Sequence, residues 1–187
     1  MIPIHLRTTP ENSGRIETYP HYEFIEHLAK WIKPINYLEI GVRHGTTYKV
    51  VEKHCQNCYL VDLKFHDIGY SENTVRYEMS SDDFFVNVES DKKFDLVFID
   101  GDHSKDQVLK DFQNVEKMVI DDGFVILHDT YPCDERMIDP EYSNNCWEAM
   151  LEIKKNYQDR WEYLTLPFNP GLSLLKKMSR DKQIIWK

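Results

Sequence analysis

The chain has 187 residues, 41% of them hydrophobic, which is enough for one domain with a full core and too few for two. A formal net charge of −9 and a sequence pI near 5.3 argue against a nucleic-acid backbone as partner, since that binding needs a basic face to release counterions. No apolar run approaches the ~18 residues of a membrane span, and Met1-Ile-Pro-Ile-His5 lacks the charged-then-apolar layout of a signal peptide, so a cytoplasmic location is expected.

Pro3, Pro10, Gly14 and Pro20 mark residues 1–20 as an extended lead-in, with a single domain over residues 21–187. In residues 22–33, Ile25, Leu28, Ala29 and Ile32 fall at helical spacing and Pro34 ends the run, which predicts a helix covering one side of a sheet. Residues 37–40 then read as a short apolar strand. It breaks at Gly41 and Gly45 into a turn, where glycines let the backbone bend sharply and let a ligand approach its amides. Glu39 sits just before the first glycine, and Thr46-Thr47 is a candidate cap for a helix running to about His54. A nucleotide-like cofactor is the expected tenant, although strand, glycine turn and helix recur in α/β domains that bind nothing there.

Cys55 and Cys58 have the spacing of half a zinc site, but Cys133 and Cys146 supply no matching pair, so reduced thiols are expected. The second strand, residues 58–62, is apolar until it ends in Asp62. An acid at that position, about twenty residues past the glycine turn, can accept hydrogen bonds from ribose hydroxyls; an ordinary strand-ending turn aspartate is the alternative. Residues 75–79 read as a third strand, and Ser80-Ser-Asp-Asp83 as a helix N-cap that carries Ser81 and Asp82 toward the same crevice.

Residues 94–100 form the clearest buried strand, continuously apolar and flanked by charge. It ends in Asp100-Gly-Asp-His103, three ionisable side chains that are costly unless they meet a ligand, a metal or water. The following helix shows Val108, Phe112, Val115 and Val119 on one face, with Lys105, Asp106, Lys110 and Asp111 outside. Asp121-Asp-Gly123 should stop it and lead into a fifth strand, residues 124–129. Asp100 and Asp129 thus reach one rim beside His103 and His128. That set suits either a hard divalent cation with oxygen ligands or an acid/base pair; helix capping and backbone contacts are the plainer roles.

Residues 131–145 are a long polar loop. A helix over residues 147–157 follows, then strands at 161–166 and 171–175 joined by Pro167-Phe-Asn-Pro170 as a C-terminal hairpin. The expected fold class is therefore α/β: a Rossmann-like doubly wound sheet, mostly parallel, closed by an antiparallel hairpin.

Glu39-Ile-Gly41-Val-Arg-His-Gly45, Asp62, Phe98-Ile-Asp100-Gly-Asp-His103 and Leu127-His-Asp129-Thr130 together resemble the class I S-adenosylmethionine-dependent methyltransferases with their seven-stranded fold. Within these they resemble the small O-methyltransferase branch that includes catechol-type and macrolide-sugar enzymes. The resemblance implies that Gly41 and Gly45 hold the methionine moiety with Glu39 near its ammonium, that Asp62 takes the ribose, and that Ser81 and Asp82 lie beside the adenine. It implies Asp100 and Asp129 as ligands of Mg2+ or a similar divalent cation, and His103 as the base where relatives carry a lysine. Thr130 departs from the asparagine of the catechol-type pattern. The implied partner is a small-molecule acceptor, a sugar hydroxyl first and a phenol second, with no membrane and no nucleic acid; a homo-oligomer would complete a pocket bordered by such short segments. Two other classes compete: a nicotinamide-dependent oxidoreductase, which should offer a third glycine where Thr47 and Tyr48 stand, and a non-catalytic binding member of the same fold.

Overall fold

The computed structural model describes residues 20–132, 135–167 and 170–179. Residues 1–19 of the lead-in, together with Cys133, lie outside the described residues. Five parallel strands and a terminal hairpin form one seven-stranded sheet, flanked by five α-helices among the described residues. In chain order the elements are α1 (His21–Ile32), β1 (Asn36–Ile40), α2 (Thr46–Val51), β2 (Asn57–Asp62), β3 (Thr74–Glu78), α3 (Ser81–Asn87) and β4 (Phe94–Ile99). They continue with α4 (Lys105–Met118), β5 (Val119–His128), α5 (Cys146–Tyr157), β6 (Trp161–Leu166) and β7 (Leu172–Lys177).

The strand order is β3-β2-β1-β4-β5-β7-β6, with β1 to β5 parallel and β7 antiparallel to both β5 and β6. The order reverses between β1 and β4, and this is where a doubly wound sheet opens a crevice at its carboxyl ends. The central strands are largely apolar, with Glu39 and Asp95 among the exceptions, because helices cover both faces. Leu38, Val61, Val97, Ile99, Val125 and Leu127 pack on one side with Phe84 of α3, Phe112 of α4 and Ile153 of α5. Tyr37, Leu60, Phe98 and Ile126 pack on the other with Ile25 and Ala29 of α1 and Tyr48 and Val51 of α2. Among the described residues no helix is long and apolar enough to cross a membrane.

Four local expectations are corrected. The residue preceding α2 is Gly45, at φ +70°, and no side chain caps that helix; Thr47 is buried instead. The helix also tightens into a 3-10 turn over Glu52–His54. Asp121-Asp-Gly123 does not end α4: the helix stops at Met118, and β5 already runs from Val119 through those residues, with a register shift against β4 where the chain irregularly re-enters the ladder. Asp111 is not on the outer face of α4 but only 1% exposed, because it stands three residues after Val108 and four before Val115, on the packed stripe. The loop after β5 is shorter in open chain than expected, since Glu135–Ile138 form a 3-10 turn. Cys55, Cys58 and Cys146 are free and buried.

Candidate active site

A cavity of about 810 Å³ lies over the carboxyl ends of β1, β2, β4 and β5. That is the size of a small-molecule site. Its walls hold Glu39, Gly41, Asp62, Ser81, Asp82, Asp100, His103 and Asp129, so all but one of the sequence-derived candidates converge on one space. Gly45 is absent from the wall itself and acts behind it: its φ of +70° turns the chain into α2.

Gly41 is required by two facts at once. Its φ is +85°, and a Cβ there would lie 2.1 Å from the Asp100 carbonyl oxygen and 2.6 Å from Gly101 Cα. The strand that leads into the glycine turn and the strand bearing Asp100 are thereby in backbone contact, tied also by Asp100 N donating to Ile40 O at 2.8 Å. Asp62 has a role the sequence did not reveal. Its Oδ2 accepts from Val42 N at 2.7 Å and Arg43 N at 2.8 Å, and its Oδ1 accepts from Lys64 N at 3.0 Å. It braces the glycine turn while facing the cavity.

Glu39 is 1% exposed and accepts from Tyr37 Oη at 2.7 Å. Burial pushes its carboxyl well above the ordinary carboxylate range, the tyrosine bond opposing this. At the other end Ser80 caps α3: its Oγ accepts from Asp83 N at 3.1 Å and donates to Asp83 Oδ2 at 2.7 Å. Gln107 Nε2 donates to Ser81 Oγ at 3.1 Å, Asp82 Oδ1 at 3.2 Å and Asp111 Oδ1 at 3.0 Å, which ties α3 to α4.

The titratable cluster occupies the rim between β4 and β5. His128 Nδ1 lies 3.1 Å from Asp100 Oδ1 and 2.8 Å from Asp129 Oδ2, and His103 Nε2 lies 3.6 Å and 3.3 Å from the same two oxygens. The Tyr142 carbonyl accepts from His103 Nδ1, and Ser143 Oγ donates to Asp129 Oδ1. Asp129 is 4% exposed and held at φ +60°, an uncommon backbone for a residue with a Cβ. That conformation marks a position the surrounding structure over-determines.

Charges in the cluster answer one another. The Asp100 hydrogen bond, against the opposing effect of burial, helps push His103 up to about 9, with Asp129 adding to it. For His128 burial works downward, but the two carboxylates outweigh it and push it up to about 10. Burial would raise Asp100, yet His128 and His103 hold its carboxyl well below the usual range. Without a cation the two imidazoles thus answer the charge of the Asp100 carboxylate.

Two residues here escaped the sequence reading. His21 opens α1 and reaches the cavity, its ring 4.1 Å from that of His128 and its Nε2 3.3 Å from Thr47 Oγ1. Burial and then His128 push it down to about 4, so it is neutral beside its charged neighbour. The signal was available: His21 precedes Ile25 by four residues on the apolar stripe of α1. Ser143, fully buried, had no signal, because its contact with Asp129 is made by a loop folding back. Thr130, by contrast, points its hydroxyl away from the cluster and accepts from Ser173 Oγ at 2.8 Å.

The donor set fits a divalent cation. Asp100, His103 and Asp129 each offer a ligand atom, all within 4.8 Å of one another, and the opposite oxygen or nitrogen of Asp129 and His103 is held by Ser143 and Tyr142.

Residues 38–130 match a family model described as a methyltransferase domain. No curated protein matches the chain in sequence. Solved structures do match in fold. The SAH-bound methyltransferase PaMTH1 of Podospora anserina has a TM-score of 0.67 at 16% identity over 88% of this chain and 80% of its own. The SAH complex of an O-methyltransferase from Bacillus cereus gives 0.65 at 16% identity, over 86% and 82%. TomG of Streptomyces achromogenes, an O-methyltransferase of tomaymycin synthesis in complex with SAM, gives 0.68 at 13%, over 88% and 82%. The matched domain spans β1 to the end of β5, the part of the chain that carries the glycine turn, Asp62, Asp100 and Asp129, so these residues form a methyltransferase domain with the fold of the SAH- and SAM-bound structures.

Proposed function

We propose that the protein transfers the methyl group of S-adenosylmethionine to a hydroxyl of a small molecule, a sugar hydroxyl or, second, a phenol. The observation that carries this reading is the continuity of the cavity. One space is lined by the Gly41 turn and Asp82 at one end and by Asp100, His103 and Asp129 at the other. In this reading the backbone at Gly41 cradles the methionine moiety while Gly45 turns the chain behind it, Glu39 receives the ammonium, Asp62 the ribose, and Ser81 and Asp82 flank the adenine. A nicotinamide cofactor is disfavoured by the turn itself, where buried Thr47 and Tyr48 stand in place of a third glycine.

Transfer is a displacement. The acceptor oxygen attacks the sulfonium methyl, the carbon–sulfur bond breaks with its electrons going to sulfur, and the hydroxyl proton leaves. In the cation-free protein His103 Nε2, once deprotonated, takes that proton, its ring fixed by the Tyr142 carbonyl. Asp100 and Asp129 are the residues that would hold a divalent cation, which supplies Lewis acidity to a bound hydroxyl. The protein's own share is orientation, since holding both reactants in line replaces a bimolecular encounter.

Calorimetry of S-adenosylhomocysteine against NADH tests the reading directly. S-adenosylhomocysteine should bind the wild type, and Asp62→Ala should weaken it by about tenfold or more, through the ribose and through the loosened turn. Binding of NADH without S-adenosylhomocysteine would make the pocket a dinucleotide site.

A further inference from the structure

We propose that Asp100, His103 and Asp129 form a three-ligand site of one nitrogen and two oxygens, for an imidazole-preferring divalent transition ion of the Co2+ and Zn2+ class rather than Mg2+. The proposal rests on the methyltransferase reading of this pocket and names the kind of ion its rim takes.

Three observations carry it. First, the ligand atoms converge on one space, all within 4.8 Å of one another. His103 Nε2 lies 3.3 Å from Asp129 Oδ2 and 3.6 Å from Asp100 Oδ1. Ligands at about 2.1 Å from one ion stand roughly 3.0 to 3.4 Å apart, so a small inward shift closes the set. Second, two of the three ligands are backed from outside. The Tyr142 carbonyl accepts a hydrogen bond from His103 Nδ1–H, which leaves Nε2 as the ring's ligand nitrogen, and Ser143 Oγ donates to the Asp129 oxygen that faces away from His103. Histidine backed by a carbonyl and carboxylate backed by a hydroxyl are the outer contacts that orient metal ligands. Third, a further oxygen that would complete an all-oxygen set is turned away: Thr130 is 5% exposed and its hydroxyl meets Ser173 instead. With His103 as the third donor the site loses the oxygen-only character that suits Mg2+ and gains an imidazole, a ligand Mg2+ takes poorly and Co2+ and Zn2+ take well.

The test uses the full chain, titrated with Co2+ and with Mg2+, and pulsed electron paramagnetic resonance of the Co2+ complex. Co2+ should bind at least about tenfold more tightly than Mg2+, and the spectrum should show nitrogen coupling. His103→Ala should remove the nitrogen coupling and cost Co2+ about tenfold or more, while Mg2+ changes less than about threefold. Asp129→Asn should weaken both ions. Equal affinities for the two ions, a Co2+ centre without nitrogen coupling, or unchanged Co2+ binding in His103→Ala would each overturn the proposal. S-adenosylhomocysteine titrated into the same samples separates the two readings: its failure to bind beside an intact Co2+ site defeats the methyltransferase pocket and leaves the metal site standing.

Discussion

Asp111 offers the sharpest link between this fold and a measurable pH dependence. Its carboxyl is 1% exposed on the packed stripe of α4, and burial, reinforced by Asp82 and Asp102 against the bonds from Ser81 and Gln107, pushes it from an ordinary 3.8 to about 6. A carboxyl raised by folding is more readily protonated in the native than in the unfolded chain. Its stabilising share is therefore fully present below about pH 3.8 and is lost as pH rises through about 6. A rise of that size corresponds to about 3 kcal/mol, of which about 2.5 kcal/mol is lost between pH 4 and pH 7. Asp111→Asn keeps an oxygen for Gln107 Nε2 and has no charge to bury. Relative to wild type, the variant should gain about 2.5 kcal/mol between pH 4 and pH 7, equivalent to roughly 5 to 10 °C in Tm for a chain of this size. Urea denaturation of both proteins across that range measures the difference, which cancels every titration they share. A difference that stays flat with pH would refute the reasoning and mean that Asp111 is hydrated in solution.

Gly41→Ala should cost more stability, and more S-adenosylhomocysteine affinity, than Gly69→Ala. Both glycines have positive φ, so each loses about 1 to 2 kcal/mol, but a Cβ at Gly41 meets backbone at 2.1 Å whereas one at Gly69 meets nothing within 4 Å. Equal losses in denaturation would show that contact between the two strand ends is not tight. Binding of S-adenosylmethionine should release a proton from Glu39, because the incoming ammonium favours the charged form of a carboxyl that burial has raised. Affinity should accordingly fall as pH falls, calorimetric enthalpy should depend on the buffer's ionisation heat, and both effects should vanish in Glu39→Gln. Ser80→Ala removes the cap of the seven-residue α3 and should lower stability by about 1 kcal/mol in thermal denaturation; no loss would mean the cap hydrogen bonds are replaced by water.

The strands and their carboxyl-end acids were legible because burial on both faces leaves a largely apolar run with a carboxylate at the rim, as at Asp62 and Asp100. Asp111 and His21 were legible in principle, since both lie on helical stripes, but charge was read as exposure and a helix start as Tyr22. The structure brings them inside because Gln107 and Ser81 satisfy the one and His128 and Thr47 pack against the other. The Thr46-Thr47 cap failed for a backbone reason: Gly45 adopts a left-handed φ, which supplies the entry into α2 with no side chain. Ser143, the carbonyl of Tyr142 and the amides held by Asp62 were not legible at all. Each depends on segments distant in sequence meeting, and neither periodicity nor residue type records that.

Those unreadable contacts change what the readable residues do. The sequence offers Asp100 and Asp129 as two acids at one rim, which alone would repel. The fold places His103 and His128 against both, turns Asp129 inward through a left-handed backbone, and closes the loop so that Ser143 and Tyr142 fix the outer atoms. It also presses Gly41 against the Asp100 carbonyl, so the glycine turn and the acid that begins the rim share one backbone contact. Any movement of that turn is therefore transmitted to Asp100 through backbone, which is stiffer than a chain of side chains. In the proposed reaction the donor's methyl and the acceptor's hydroxyl would be positioned against a common reference, the β1–β4 junction where strand order reverses, as in-line transfer requires.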